Sequence, residues 1–316
     1  MAANLGPVLR YFLIVLAAIS LAGCNSVVVG SPEACKFEKL AELPVRFSRT
    51  QHPIVTIEID GKRVTMLLDT GATGTVIFAS ALERTGLQID RSRHGMSIGI
   101  GGLSKLDVLR ATDLKLGDLS ATVDAIAVGP FDMLGLGGET IDGILGFQPL
   151  GQFDIDLDLP RGRMTLYRAR YCPEGMPPWD DPGRMIPRPA NAPFDNRPYA
   201  PILVNGRELL GLLDSGSYSV AISRQVALAI GATEAQIMAA PKASATNASL
   251  NAVEVRRHRF ESVDFLGMTA RNPELDIIPL SIGLDVLIGM PILKELRIWI
   301  PVHGRKIHLS SPTLSK

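Results

Sequence analysis

The sequence predicts a mostly β, two-lobed fold made by internal duplication. Three observations carry that prediction. One pattern of turns, apolar runs and glycines occurs twice, in register over about a hundred residues each time. The segments between its landmarks are short and β-like. A proline-rich stretch separates the copies. The chain has 316 residues, 46% hydrophobic and 5% aromatic, which is enough for two modest, mainly aliphatic cores. Its 32 basic and 32 acidic residues balance, so nothing favours a nucleic-acid partner, which needs a basic stripe or excess.

The N-terminal end reads as an export signal. Arg10 precedes an apolar run from Tyr11 to Ala22 that closes in Leu21-Ala22-Gly23-Cys24. The run is shorter than the roughly 20 residues a spanning helix needs. A basic start, a short apolar segment and small residues before a break describe a secretory signal. Leu-Ala-Gly-Cys resembles the lipobox of bacterial lipoproteins. That resemblance implies cleavage before Cys24, lipidation of Cys24 and a membrane anchor, with an uncleaved signal anchor as the alternative. Asn25 in place of Asp then makes the outer membrane, facing the periplasm, the expected location. Residues 1–23 are thus assigned to the signal and 24–50 to a tether. An exported chain sits where disulfides persist. Cys35 and Cys172 remain as an even pair, and a bridge between them would clasp the tether to the linker; two free thiols are the alternative.

The first lobe spans 51–170 and the second 198–316. Copy one runs Ile54 to Ile59, Asp60-Gly61, Val64 to Leu68, then Asp69-Thr70-Gly71. Copy two runs Ile202 to Val204, Asn205-Gly206, Leu209 to Leu213, then Asp214-Ser215-Gly216. Asp-Gly and Asn-Gly suit two-residue hairpins, where both central residues need positive φ. In each copy the turn glycine precedes the aspartate by 8 residues, and a helix-stopping glycine, Gly86 or Gly231, follows it by 17. Ser80-Ala81-Leu82-Glu83 reads as a capping box opening one helix, and Ser223 opens its counterpart. Asp142-Gly143-Ile144-Leu145-Gly146 and Asp285-Val286-Leu287-Ile288-Gly289 follow. Basic strand pairs around Gly162-Arg163 and Gly304-Arg305 close the copies. Residues 171–197 carry Pro173, Pro177, Pro178, Pro182, Pro187, Pro189 and Pro193, and read as a stiff linker rather than a strand.

Each Asp-Thr/Ser-Gly follows a fully apolar run, Met66-Leu67-Leu68 or Gly211-Leu212-Leu213, so each strand is buried on both faces and delivers a carboxylate at the edge of a core. The hydroxyl beside it can bond a neighbouring backbone, and the glycine lets the opposing lobe come close. One such triplet is a common loop; two at matching places in a duplication are specific. The pattern resembles the retropepsin-like aspartic peptidases of the pepsin clan. Asp69-Thr70-Gly71-Ala72 and Asp214-Ser215-Gly216-Ser217 match the active-site motif. Gly143 to Gly146 and Val286 to Gly289 match the second motif, packed beneath it.

The resemblance implies two short acid-protease lobes whose aspartates meet at one site. It implies Asp69 and Asp214 as catalytic residues, supported by Thr70, Gly71, Ala72, Ser215, Gly216 and Ser217. Two adjacent carboxylates share one proton, activate a water and protonate the scissile carbonyl. Neither metal nor cofactor is required. Ser217, opposite Ala72, is placed to bond the outer oxygen of Asp214, so Asp214 is expected to be the more ionised and Asp69 the acid. The family's flap falls on Ile98, Gly99, Ile100, Gly101 and Gly102, with a plain glycine-rich turn as the alternative. Ala245 to Ser249, without glycine, occupies that place in the second lobe, so one dominant flap is expected.

The expected ligand is an extended polypeptide added as a strand between flap and cleft floor. The expected activity is endopeptidase action on exported or envelope proteins by a monomer. The alternatives are a non-catalytic peptide-binding lipoprotein on the same scaffold and a structural envelope lipoprotein. The five histidines have no metal-ligand spacing, and no Gly-x-Ser-x-Gly elbow is present.

Overall fold

The computed structural model describes residues 34–99, 102–110, 113–121, 123, 125–129, 138–173, 175–180, 183–246, 252–280, 283–302 and 305–311. The signal segment, Cys24, and Ile100 and Gly101 lie outside the described residues.

Each lobe is organised by a hairpin that the sequence encodes locally. Pro53–Ile59 turns through Asp60 (φ 46°) and Gly61 (φ 71°) into Lys62–Leu68. Tyr199–Val204 turns through Asn205 (φ 49°) and Gly206 (φ 72°) into Arg207–Leu213. These left-handed pairs match the strand twist that two-residue hairpins require. The second strand of each hairpin runs parallel to a short buried strand, Gly143–Leu145 or Val286–Ile288.

Nine strands of the two lobe sheets correspond one to one among the described residues. Each sheet begins with a long hairpin, Ile89–Gly99 with Gly102–Leu109 in one and Lys242–Thr246 with Ala252–Arg259 in the other. It continues through Ala127–Gly129 or Glu274–Ile278, then Val76–Phe78 or Ala221–Ser223, to the parallel pair. The first lobe adds a short strand, Arg46–Phe47, against Pro53–Ile59.

A third, six-stranded sheet joins the lobes in the order Lys36–Pro44, Arg163–Arg170, Asp154–Asp158, Arg297–Ile300, Lys306–Ser310, Arg184–Pro187. Its lobe-to-lobe seam pairs Asp156 with Trp299. Asp154, Asp156 and Asp158 alternate on one face of their strand and are all buried. Each has partners that offset the cost of burying charge. Asp154 accepts from the Ala169 and Val302 amides at 2.8 and 3.0 Å. Asp156 holds Arg297 in two bonds of 2.9 and 2.6 Å. Asp158 pairs with Arg161 and Arg163.

Four expectations change here. The main core is shared: one apolar cluster runs through both lobes, bridged by Ile155, Leu157, Ile298 and Ile300 of the joining sheet, and each lobe keeps only a smaller cluster of its own. The linker is not strand-free, because Arg184–Pro187 forms an edge strand on Lys306–Ser310, where its terminal proline removes no needed ladder bond. The tether is a strand from Lys36, while the expected bridge between Cys35 and Cys172 is present beside it. Ser80 is not the cap: the helix Ala79–Thr85 has Phe78, two residues earlier, as its N-cap, with no side-chain cap bond. It stops at left-handed Gly86, and the counterpart helix Arg224–Ala229 is capped by the Ser223 hydroxyl on the Val226 amide. A further helix, Glu234–Ala239, carries a Thr233/Gln236 capping box.

Candidate active site

The two apolar strands deliver Asp69 and Asp214 onto loops held from beneath. The Asp69 amide donates to the Leu145 carbonyl and the Asp214 amide to the Ile288 carbonyl, each at 3.0 Å. Phe147 and Met290 donate to the carbonyls of Ala72 and Ser217 at 2.8 and 2.9 Å. Gly146 and Gly289 touch the same loops so closely that a Cβ there would lie 2.1 Å from the Gly74 or Ser219 carbonyl oxygen. The second motif is therefore a cradle, and only glycine fits its floor.

The loops meet across the lobe boundary. A Cβ on Gly71 would lie 2.4 Å from the Asp214 carboxyl carbon, and one on Gly216 would lie 2.4 Å from that of Asp69. Each carboxyl thus rests on the opposite loop's glycine, within hydrogen-bond reach of the other carboxyl. The neighbouring hydroxyls lock the crossing. Thr70 Oγ1 donates to the Leu213 carbonyl at 2.6 Å and accepts from the Ser215 amide at 3.1 Å. Ser215 Oγ donates to the Leu68 carbonyl at 2.7 Å and accepts from the Thr70 amide at 3.0 Å.

The Aspartyl protease family model matches this chain twice, over residues 55–148 and 200–292, which is more than half of it. The chain belongs to the aspartyl protease family. Both matches enclose an Asp-Thr/Ser-Gly loop and its glycine cradle. The chain is also similar to the UBA domain-containing protein Mud1 of Schizosaccharomyces pombe, 26% identical over 126 residues. That stretch is 39% of this chain and 36% of the relative, so the chain spans little more than a third of that protein's length.

In an aspartyl protease the charge on the pair decides the chemistry. Burial pushes the proton affinity of both carboxyls up. Asp214 is raised well above its ordinary value of 3.8, by burial first and then by the adjacent Asp69 charge. Asp69 is raised as well, by burial, against the Ala72 and Gly71 amides that both donate to its Oδ1 at 2.9 Å. Asp214 Oδ1 accepts from Gly216 at 3.0 Å. The hydrogen bonds do not favour charge on Asp214 as expected: two loop amides donate to Asp69 Oδ1 and one to Asp214 Oδ1, which favours Asp69 as the carboxylate of the pair. The reason is plain in the loop. The Ser217 hydroxyl donates to the Ser219 carbonyl at 2.9 Å, closing its own turn instead of reaching Asp214.

Ile98, Gly99 and Gly102, where the flap is expected, lie at the end of a hairpin, with Ile98 opposite Leu103 and Gly99 opposite Gly102. The second lobe has a hairpin at the same place in its sheet, with Thr246 opposite Ala252. Both lobes thus carry a hairpin at this place; the second lobe's Ala245 to Ser249 lies only partly within the described residues.

Sequence reasoning missed one neighbour of the site. The end of the linker folds back, and Arg197 donates to the Gly71 carbonyl at 2.7 Å. The only sequence signal is positional: Arg197-Pro198 and His52-Pro53 both lie 17 residues before their aspartate. Among the described residues, no group of three or more His, Cys, Asp or Glu side chains could hold a metal ion.

Proposed function

We propose that this chain is an aspartic endopeptidase in which one water, held between Asp69 and Asp214, attacks a peptide carbonyl. The Asp69 carboxylate takes the proton from the water. Asp214 gives its proton to the carbonyl oxygen as the tetrahedral intermediate forms. On breakdown Asp69 gives its proton to the leaving amine while Asp214 takes one back from a hydroxyl of the gem-diol, so the pair again holds one. The observation that carries this reading is the reciprocal seating of each carboxyl on the opposite loop's glycine. Such a seat excludes other side chains and leaves two buried, like-charged groups that cannot both ionise cheaply.

The substrate is an extended polypeptide, laid as a strand between the flap hairpins and the loops. The lipobox-like Leu21 to Cys24 supports export and a lipid anchor at Cys24, with the chain acting as a monomer on envelope or exported proteins. The test is incubation of the protein with a diverse peptide mixture across pH. The wild type cuts, and Asp69→Asn binds a statine-type transition-state mimic weakly and cuts nothing. A folded wild type that binds peptides but cuts none at any pH would instead support a non-catalytic binding protein. Radiolabelled palmitate incorporated into the wild type and absent from Cys24→Ser would support the anchor; equal labelling would refute it.

A further inference from the structure

The two lobes each send one basic side chain from the same repeat position toward the opposite catalytic loop, and the two differ in kind. His52 leads the first lobe's hairpin. Its ring stands 6.4 Å from that of Tyr218, beyond Ser217, and its Nδ1 shares a 2.9 Å bond with Thr50 Oγ1. Arg197 leads the second lobe's hairpin, and its side chain is only 13% exposed. Its Nε and Nη2 both donate to Asp195 Oδ2, at 3.0 and 2.8 Å, leaving Nη1 for the Gly71 carbonyl. The Tyr199 hydroxyl donates to the same Asp195 oxygen at 3.1 Å, and Arg188 lies over the Tyr199 ring while donating to the Arg197 carbonyl at 2.9 Å. The guanidinium is therefore held by Asp195 and lies 5.7 Å from the centre of the Tyr199 ring before it reaches the loop.

The peptide unit it grips is the informative detail. The Gly71 carbonyl and the Ala72 amide belong to one peptide group. That amide donates to Asp69 Oδ1 at 2.9 Å. A cation bonded to the carbonyl polarises the whole unit and strengthens its N–H as a donor. The contact thus runs Asp195, Arg197, Gly71–Ala72 peptide, Asp69, with every link a hydrogen bond.

We propose that Arg197 is a positioning residue that makes Asp69 the resident carboxylate of the pair, by holding and polarising the Gly71–Ala72 peptide from the opposite lobe. The inference rests on the aspartic-peptidase reading for its role in catalysis, while its electrostatic content stands on the loop geometry alone. The groups facing Asp69 are the Asp214 carboxyl, the Arg197 guanidinium and the two loop amides. Arg197 is faced by Asp195, Tyr199 and Arg188. Arginine stays charged across the working pH range, so the bias it imposes does not titrate. His52, at the matching place, would impose a bias that did.

The experiment is a carboxyl-carbon NMR titration of aspartate-labelled full-length protein, with Asp69 and Asp214 assigned from their single Asn variants. Arg197→Met should move the Asp69 titration up by about half a unit, less than the 1–3 units of a directly paired cation, because the charge acts through a peptide. Arg197→Lys, which keeps charge but loses the fork, should move it up by less; it also serves if the Met variant does not fold. On peptide cleavage, the acid limb of the kcat/KM profile should move up with the titration. A merely structural arginine would lower activity and thermal stability at every pH with both limbs in place. An Asp69 titration unmoved, or moved down, in these variants overturns the proposal. A wild type that cuts nothing overturns the peptidase reading instead, and leaves the titration to decide this one.

Discussion

The hydroxyl crossing between the lobes gives the sharpest stability prediction. Thr70→Val keeps the shape of a side chain that is 3% exposed and removes its oxygen. Two bonds go: the 2.6 Å bond to the Leu213 carbonyl and the 3.1 Å bond from the Ser215 amide. Each neutral bond contributes about 1 kcal/mol net, and a buried amide left unpaired costs about 1–3 kcal/mol more. Ser215 is fully buried, so no water replaces the lost acceptor. The sum is about 3–5 kcal/mol, or roughly two to three and a half decades in the folding equilibrium. Urea unfolding of the full-length protein measures it, provided the slope with denaturant stays constant. Ser215→Ala breaks the reciprocal pair and should cost about as much. The double variant should cost less than the sum, because either change alone loosens the same crossing. A Thr70→Val cost below about 0.5 kcal/mol would refute the idea that these hydroxyls clamp the lobes.

Three further outcomes follow from the site and its frame. Ser217→Ala should leave the pH profile of cleavage unmoved, because its hydroxyl bonds Ser219 rather than Asp214; a displaced acid limb would restore the opposite charge assignment. Both aspartates bind protons more tightly when folded than unfolded, so they contribute stability that is full below the ordinary value of 3.8 and is lost as pH rises through their higher folded values. The Asp69→Asn, Asp214→Asn double variant should therefore be more stable than wild type at neutral pH and equal to it in acid, and a thermal-melting series showing no such convergence would count against the buried pair. Cys172→Ser opens a loop closed over 137 residues and should lower stability by about 2–5 kcal/mol, with insensitivity to reductant as its signature.

What could be read from the sequence was what chain-local physics dictates. The Asp60-Gly61 and Asn205-Gly206 hairpins, the double-faced burial of Met66 to Leu68, and the left-handed stop at Gly86 each follow from neighbours in sequence. Duplication then did the rest, because two equivalent aspartates imply one shared site. What sequence could not supply was long-range pairing. The strand Arg184–Pro187 exists because Lys306–Ser310 presents an open edge to it, not because its own residues favour strand. The joined core depends on Asp156 meeting Trp299 across the lobe boundary. The Ser217 misassignment is of the same kind: a hydroxyl two residues from a carbonyl has a local acceptor, and the shorter reach won. The Thr233-Glu234-Ala235-Gln236 capping box of the extra helix was legible but lay outside the repeat.

The central claim is that neither carboxylate suffices alone. The most direct measurement is cleavage of one susceptible peptide in oxygen-18 water by wild type, Asp69→Asn and Asp214→Asn, with products weighed by mass spectrometry across pH. The account predicts a bell-shaped profile for wild type and one heavy oxygen atom in each new C-terminal carboxyl. It predicts no cleavage above background for either variant. Cleavage that persists in either single variant, with the same products, would contradict it.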